Sequence, residues 1–86
     1  MNVKYSRKTL GFLAEQDKTT VDTIRYAIQR LTLLPPEGDI KKMHGSESLR
    51  LRIGGYRVIF RYTDENGAEA LMIDGIDSRG DMGVFI

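Results

Sequence analysis

The spacing of apolar residues changes from a helical period in the first half of the chain to a period of two in the second. The short alternation over Asn2–Tyr5, with Val3 as its clear inward residue, predicts a first strand that ends at Ser6. Ser6 is also a suitable N-cap for a first helix. The narrow apolar face of that helix consists of Leu10, Phe12, Leu13 and Ala14.

A longer apolar stripe predicts a second helix. Its members recur at steps of three and four residues and are Val21, Ile24, Ile28 and Leu31. Thr19 followed by Asp22 suits a capping arrangement at the start of this helix, and Pro35 and Pro36 stop it. We interpret the stripe as the surface with which a two-helix hairpin packs on a sheet, rather than as a binding surface.

After the prolines, residues 35–44 are rich in turn formers and charge, which predicts a connector. The apolar period then becomes two. One side of the predicted strand carries Leu49, Leu51 and Ile53, and the other carries Ser48, Arg50 and Arg52. Gly54 and Gly55 predict a tight hairpin that leads to the next strand, over Tyr56–Tyr62.

The order of these elements predicts an α+β fold in a single domain over residues 1–86. A turn at residues 64–67, with Asn-Gly at its tip, leads to a last strand over Ala68–Ile76. An N-terminal strand and a two-helix hairpin thus precede a three-stranded antiparallel meander, and the strands form one sheet packed on the helices. A chain of 86 residues has room for one small core.

The predicted hairpin gathers arginines on one face of the sheet. With Gly54-Gly55 as the loop, Arg52 lies directly across from Arg57, and alternation places Arg50 and Arg61 on the same face. Leu71 and Ile73 then join the core, while Met72 and Asp74 fall on the arginine face. Opposed like charges destabilise a sheet by up to about 1 kcal/mol per pair, so folding alone does not explain this cluster.

A guanidinium presents a rigid fork of donors that matches phosphate oxygens, which indicates a clamp for a phosphate backbone. A solvated outer face remains the alternative, with Asp74 as an ordinary cross-strand ion-pair partner. The distribution of charge favours a local anion site. The net charge is only +1, yet residues 41–61 contain six basic residues and one acid, whereas residues 62–86 contain six acids and Arg79 alone.

Composition excludes several other classes of protein. The absence of cysteine excludes a disulfide framework, a thiol nucleophile and cysteine-based zinc sites. His44 is the single histidine, so we expect no metal and no cofactor. Apolar runs are four residues or shorter, and the N-terminus is polar. We therefore expect neither a membrane-spanning helix nor a signal peptide, and a cytoplasmic location.

Residues 41–45 and 49–60, from Lys41-Lys42-Met43-His44-Gly45 to Val58-Ile59-Phe60, resemble the central hairpin of RelE/ParE-type toxins. These are the toxin halves of bacterial and archaeal toxin–antitoxin pairs, and the order of elements is similar over essentially the whole chain. The resemblance implies a cognate antitoxin as partner, a small acidic protein with a DNA-binding half. RelE-like members cleave mRNA in the ribosomal A site, whereas ParE-like members share the fold and inhibit DNA gyrase without that chemistry.

The resemblance also implies functional residues. Basic side chains that act on the scissile phosphate in RelE-like enzymes are matched here by Arg50, Arg52, Arg57 and Arg79. The family often carries a tyrosine near the C-terminus, and Phe85 stands at the matching position. A phenylalanine keeps a stacking surface but has no hydroxyl to exchange a proton.

The implied reaction is attack of an RNA 2′-hydroxyl on the adjacent phosphate, and it requires no cofactor. Lys41, Lys42, His44 and Arg61 are predicted to bind RNA. His44 is the one histidine but precedes the hairpin, and the strand tyrosines are expected in the sheet or core, so no general base is evident. Three functions stay open: an endoribonuclease, a gyrase inhibitor that cuts nothing, and a degenerate module that only binds its antitoxin.

Overall fold

Two helices and five strands follow one another along the part of the chain that the computed structural model describes, residues 1–78. The helices are α1 (Arg7–Ala14) and α2 (Lys18–Gln29), and a short 3₁₀ turn (Arg30–Thr32) extends α2. The strands are β1 (Asn2–Tyr5), β2 (Asp39–Lys42), β3 (Leu49–Ile53), β4 (Tyr56–Glu65) and β5 (Ala68–Ser78). No helix in these residues is long and apolar enough to cross a membrane.

The strands form one sheet in the order β1-β5-β4-β3-β2. The pairs β2–β3, β3–β4 and β4–β5 are antiparallel, and β1 lies parallel to β5 at one edge. The predicted α+β fold, with its N-terminal strand, helical hairpin and meander, is confirmed. The parallel pairing of β1 was not part of the prediction, since the spacing of apolar residues does not specify which strand a terminal strand joins.

Strand β2 corrects the predicted connector over residues 35–44. Asp39–Lys42 pairs with β3 and forms the second edge of the sheet. The strand contains one apolar residue, Ile40, which lies opposite Leu51 and packs against the core. Charged residues are common on edge strands because they discourage pairing with other chains. Because charged residues surround Ile40, the sequence of β2 does not show the alternation of apolar and polar residues that predicts a strand.

The helix starts confirm one predicted cap and correct the other. Ser6 caps α1, and its hydroxyl oxygen accepts a hydrogen bond from the backbone N–H of Thr9 at 3.1 Å. The cap of α2 is Asp17 rather than Thr19, and its carboxylate accepts from the N–H of Thr20 at 2.8 Å. Hydrogen bonds from Thr20 hold the pKa of Asp17 below its usual value. A carboxylate interacts favourably with the positive end of a helix, so the earlier residue becomes the cap.

The core lies between the two helices and one face of the sheet. Its helical side includes Ile24, Ile28 and Leu31 from the predicted stripe, all less than 2% exposed. Its sheet side comprises Leu51, Val58, Phe60, Leu71, Ile73 and Ile76. This arrangement confirms the predicted packing of the helical hairpin on the sheet, and it leaves the other face of the sheet free of the helices.

An irregularity in β5 determines which residues reach each face near its end. Phe60 of β4 pairs with Ile73, but Ile59 pairs with Gly75, so Asp74 is an extra residue between the two pairs. Such a β-bulge changes the alternation of the strand that contains it. Ile76 consequently joins the core opposite Val58, and Asp77 lies opposite Arg57 on the other face. The prediction from regular alternation did not include this bulge.

Gly38, just before β2, is expected to resist substitution. Its φ of +143° lies in a region that favours glycine, and a Cβ atom there would lie 2.7 Å from Cδ1 of the buried Leu51. We expect Gly38→Ala to lower the free energy of unfolding by about 1–3 kcal/mol, through backbone strain and overpacking. Urea denaturation followed by circular dichroism measures this change.

Gly11→Ala is the matched control for the Gly38 variant. Gly11 lies inside α1, and a Cβ atom there would have no neighbour within 4 Å. The same substitution should therefore stabilise the protein by about 0.5–1 kcal/mol, because alanine favours a helix interior. Equal effects of the two substitutions would show that Gly38 imposes no special constraint.

Candidate phosphate-binding site

The face of the sheet opposite the helices carries a row of four charged residues at its centre. The strand pairings place Asp39, Arg52, Arg57 and Asp77 side by side across β2, β3, β4 and β5. The predicted pairing of Arg52 with Arg57 is confirmed, as is the pairing of Leu51 with Val58 on the core face. We call this surface the basic face, and its cations on β2, β3 and β4 are Lys41, Arg50, Arg52, Arg57 and Arg61.

Two further positions of the basic face follow from the register. Lys41 lies opposite Arg50, and Arg50 lies opposite Ile59. Arg61 is four residues beyond Arg57 on β4, a separation of about 13 Å along the strand. The cations are therefore arranged on rigid strands rather than on loops, which fixes their backbone positions relative to one another.

Carboxylates on the same face pair with three of the arginines. Asp74, which the sequence offered as an ion-pair partner for part of this cluster, pairs with Arg61, with Nε and Oδ2 2.9 Å apart. Arg57 donates from Nη2 to Asp77 Oδ2 at 3.0 Å. Arg50 Nη2 lies 3.6 Å from Asp39 Oδ1, a looser contact. The basic face is therefore less positive than the count of its arginines indicates.

Exposure distinguishes the arginines. The side chain of Arg50 is 16% exposed, and its Nε is buried with no hydrogen-bond partner among the described residues. Arg57 is 27% exposed and Arg61 43% exposed. Arg52 is exposed and forms no ion pair with any carboxylate in residues 1–78. Among the described arginines of the basic face, Arg52 is thus the one that is exposed and has no carboxylate partner in residues 1–78.

The predicted RNA-binding residues of the β2–β3 region are divided by the structure. Lys41 belongs to the basic face, whereas Lys42 pairs with Leu49 and so lies on the opposite side of its strand, although it is exposed. His44 is exposed in the loop and lines a shallow pocket of about 560 Å³ together with residues 41–46. Along the strand direction this loop is several residues away from Arg57, at about 3.3 Å per residue.

Neither strand tyrosine near the arginines is placed to act as a base. Tyr62 is on the core side, and its hydroxyl donates to the carbonyl of Leu31 at 2.8 Å. Burial, with a smaller contribution from the negative charge of Glu69, raises the pKa of Tyr62 above its ordinary value. Tyr56 packs edge-on against Phe12, with ring centroids 6.0 Å apart. The predicted sheet or core roles of both tyrosines agree with these contacts.

Two predicted site residues, Arg79 and Phe85, lie outside the described residues. Residues 1–78 contain no cluster of histidine, aspartate and glutamate that could hold a metal ion. What the described site offers is a set of guanidinium donors on one rigid surface. Such a set can bind the oxygens of an anionic backbone and can stabilise negative charge that develops on phosphorus.

The sequence did not reveal two of the acids that act on this face, Asp39 and Asp77. Asp39 was assigned to a connector, so its place beside β3 was missed. Asp77 lies beyond the bulge, where regular alternation assigns residues to the wrong face. One signal was available, because the apolar residues Leu71, Ile73 and Ile76 change from odd to even positions within one strand.

Comparison with solved structures places the fold among toxins. The RelB–RelE antitoxin–toxin complex from Methanococcus jannaschii is similar with a TM-score of 0.67 and 17% identity, covering 96% of this chain and 98% of that chain. The archaeal RelE–RelB complex from Pyrococcus horikoshii OT3 is similar with a TM-score of 0.69 and 25% identity, covering 92% and 94%. The YoeB/ParE toxin from Agrobacterium tumefaciens has a TM-score of 0.70 and 15% identity, covering 91% and 98%.

No family model matches the sequence, and no curated protein matches it. The likeness to the solved structures extends over nearly the full length of both chains in each comparison. The chain therefore has the fold of RelE, YoeB and ParE toxins, which confirms at the level of fold the resemblance of the central hairpin.

Proposed function

We propose that this chain is the toxin of a type II toxin–antitoxin system and that it cleaves mRNA in the ribosomal A site. The observation that carries the proposal is the Arg52–Arg57 pair, which the toxin fold places at the centre of a surface free of the helices. Opposed arginines destabilise the sheet by up to about 1 kcal/mol. Their presence is explained when both guanidinium groups serve a phosphate.

The reaction is an internal transfer at phosphorus. The 2′-hydroxyl of one nucleotide attacks the adjacent phosphate as its proton leaves, and the bond to the 5′-oxygen breaks as that oxygen gains a proton. The products are a 2′,3′-cyclic phosphate and a free 5′-hydroxyl, so the reaction balances without a cofactor. Arg50, Arg52, Arg57 and Arg79 neutralise the charge that develops on the phosphorane-like transition state.

The remaining residues of the proposed site bind RNA. Arg61 and Lys41 extend the basic face along the strands, while Lys42, exposed at the end of β2 on its other side, and His44, exposed in the β2–β3 loop, bind RNA beyond that face. Contacts of this kind position a nucleic-acid backbone without reading its sequence. Phe85 stacks on a base near the scissile phosphate.

A second function is favoured by the carboxylates of the basic face. Asp39, Asp74 and Asp77 neutralise part of its charge, and the chain has phenylalanine where RelE-like enzymes often carry tyrosine. Both features suit a ParE-like toxin that inhibits DNA gyrase and cuts nothing. The endoribonuclease is the preferred function, because the opposed guanidinium groups of Arg52 and Arg57 suit the charge that develops on phosphorus in this reaction.

The proposed partner is a cognate antitoxin, a small acidic protein with a DNA-binding half. The structures from Methanococcus jannaschii and Pyrococcus horikoshii are complexes of a toxin with its antitoxin. In this chain, a groove of about 250 Å³ runs between α2 and the β2–β3 edge. Its apolar lining includes Ala27, Leu51 and Ile53, and Arg30 and Arg52 also line it. Glu37 and Asp39 line it too, so its charges are balanced, and it is the apolar lining that suits a partly disordered antitoxin segment that folds on binding.

Primer-extension mapping of mRNA ends after induction in growing cells tests the proposed function. A nuclease toxin should stop growth and produce new 5′ ends within translated messages, and purified protein should cut mRNA on programmed ribosomes but not free mRNA. Two results together would favour the gyrase inhibitor over the endoribonuclease. Growth would stop without new mRNA ends, and the purified protein would inhibit DNA supercoiling by gyrase.

Phe85→Tyr tests the proton transfer that the wild-type residue does not supply. If the missing hydroxyl limits the rate, the variant should cleave faster by on the order of a hundredfold. Phe85→Ala should slow cleavage, because it removes an aromatic surface that contributes roughly 1 to 3 kcal/mol per stacked base. Single-turnover cleavage on programmed ribosomes measures both. Equal rates for wild type and both variants would remove Phe85 from the site.

A further inference from the structure

Asp77 reaches the basic face only because of the bulge in β5. The extra residue at Asp74 shifts the alternation, so that Asp77 becomes the direct cross-strand neighbour of Arg57. The bulge affects both faces of the strand, because it also places Ile76 in the core opposite Val58. Bulges often occur next to functional sites, where they redirect a side chain.

The contact between Asp77 and Arg57 is short and partly shielded from water. Asp77 Oδ2 accepts from Arg57 Nη2 at 3.0 Å, and the two side chains are 48% and 27% exposed. The second carboxylate oxygen, Oδ1, is buried and has no hydrogen-bond partner within residues 1–78. A buried carboxylate oxygen without a partner is unfavourable for folding, so stability alone does not account for this acid.

Arg57 has charges of opposite sign on its two sides. Arg52 lies across from it on β3, and Asp77 lies across from it on β5. Repulsion from Arg52 and attraction to Asp77 act in the same direction, toward β5. An arginine side chain has many rotamers, and fixing it removes conformational entropy. The ion pair fixes the guanidinium before substrate arrives, so that this entropy is not lost during the reaction.

We propose that Asp77 is a positioning residue that orients the guanidinium of Arg57 toward the scissile phosphate. The proposal rests on the function proposed above, in which Arg57 stabilises the transition state. The carboxylate has two opposite effects on the kinetics of cleavage. Its negative charge weakens ground-state attraction of the RNA backbone, whereas its hydrogen bond keeps Arg57 in the geometry that the transition state requires.

Asp77→Asn should therefore lower kcat without raising KM. The amide keeps the size of the side chain but removes the charge that holds Arg57, and a misplaced catalytic group reduces rates by about tenfold to a hundredfold. Asp77→Glu, which restores the carboxylate, should recover part of kcat. Asp64→Asn is the matched control, because Asp64 is an exposed acid of β4 with the same charge change, and its kcat should equal that of wild type.

A double-mutant cycle separates action through Arg57 from a general effect on the protein. In an Arg57→Ala background, Asp77→Asn should have no further effect on kcat, because the group that it positions is absent. The proposal is wrong if Asp77→Asn behaves like Asp64→Asn, or if its full effect persists in the Arg57→Ala background. A rise in KM at unchanged kcat would likewise overturn it.

NMR relaxation of the Arg57 Nε–Hε group tests the orientation in the free protein. Asp77→Asn should increase the motion of this group, while Asp64→Asn should not. An unchanged Arg57 signal in Asp77→Asn would contradict the positioning role. If wild-type protein does not cleave mRNA on ribosomes, the endoribonuclease proposal fails, and the relaxation measurement still decides whether Asp77 orders Arg57.

Discussion

Arg57→Ala is expected to abolish toxicity and to lower single-turnover cleavage on programmed ribosomes by about 10²–10³-fold. This is the loss that follows removal of one preorganised donor to developing negative charge. The fold should survive, because Arg57 lies on the face opposite the core and its substitution also relieves repulsion from Arg52. The circular dichroism spectrum and the urea midpoint should remain close to those of wild type.

Arg30→Ala provides the matched control for this substitution. Arg30 also forms an ion pair with a carboxylate, Glu37, but it lies in the 3₁₀ turn after α2 and is not a cation of the basic face. Its loss removes an arginine and an ion pair of similar kind, so cleavage should be retained. An unfolded Arg57→Ala protein would show that Arg57 is structural. A folded and fully toxic one would remove it from the site.

Phe60→Ala is expected to cause the largest loss of stability among alanine substitutions in residues 1–78. Phe60 is the largest fully buried side chain in residues 1–78, with none of its surface exposed, and its ring contacts Tyr62 edge-on at 5.7 Å between centroids. Truncation of a buried phenylalanine costs about 3–5 kcal/mol through lost burial and the cavity that remains. Small domains are stable by about 5–15 kcal/mol, so much of the margin disappears.

Urea denaturation and thermal unfolding measure this effect. Phe12→Ala is the control, since Phe12 is only partly buried at the edge of the core and should cost less. Equal losses for the two variants would mean that the centre of the core does not lie at β4. Because Phe60 is on the core face, any folded fraction of the Phe60 variant should retain normal cleavage per folded molecule.

The fold was largely predictable because its central elements have regular periods. The stripe of Ile24, Ile28 and Leu31 indicated α2, and the Gly54-Gly55 turn specified the register of β3 and β4 residue by residue. These are local signals, in which neighbouring residues determine the result. The same reasoning predicted the Arg52–Arg57 pair and placed Asp74 on the arginine face, where it pairs with Arg61.

The parts that were missed depend on long-range partners. Asp39–Lys42 contains one inward apolar residue and becomes a strand only because β3 offers an unpaired edge. The parallel pairing of β1 with β5 likewise joins two strands that are far apart in the sequence. Asp17 rather than Thr19 is the cap of α2, because both residue types suit that role and the capping pattern alone does not decide between them. The site shows the same division, since Asp77 required knowledge of the bulge.

The bulge at Asp74 also affects how this chain should be aligned with other chains of the same fold. Because the strand absorbs one extra residue there, the pairs on both sides keep their faces, and Arg57 still lies opposite Asp77. A homologue with a regular strand should have one residue fewer at this point. An alignment that puts this one-residue difference at another position would match Asp77 with a core residue of the homologue. The acid beside Arg57 would then be missed as an equivalent position.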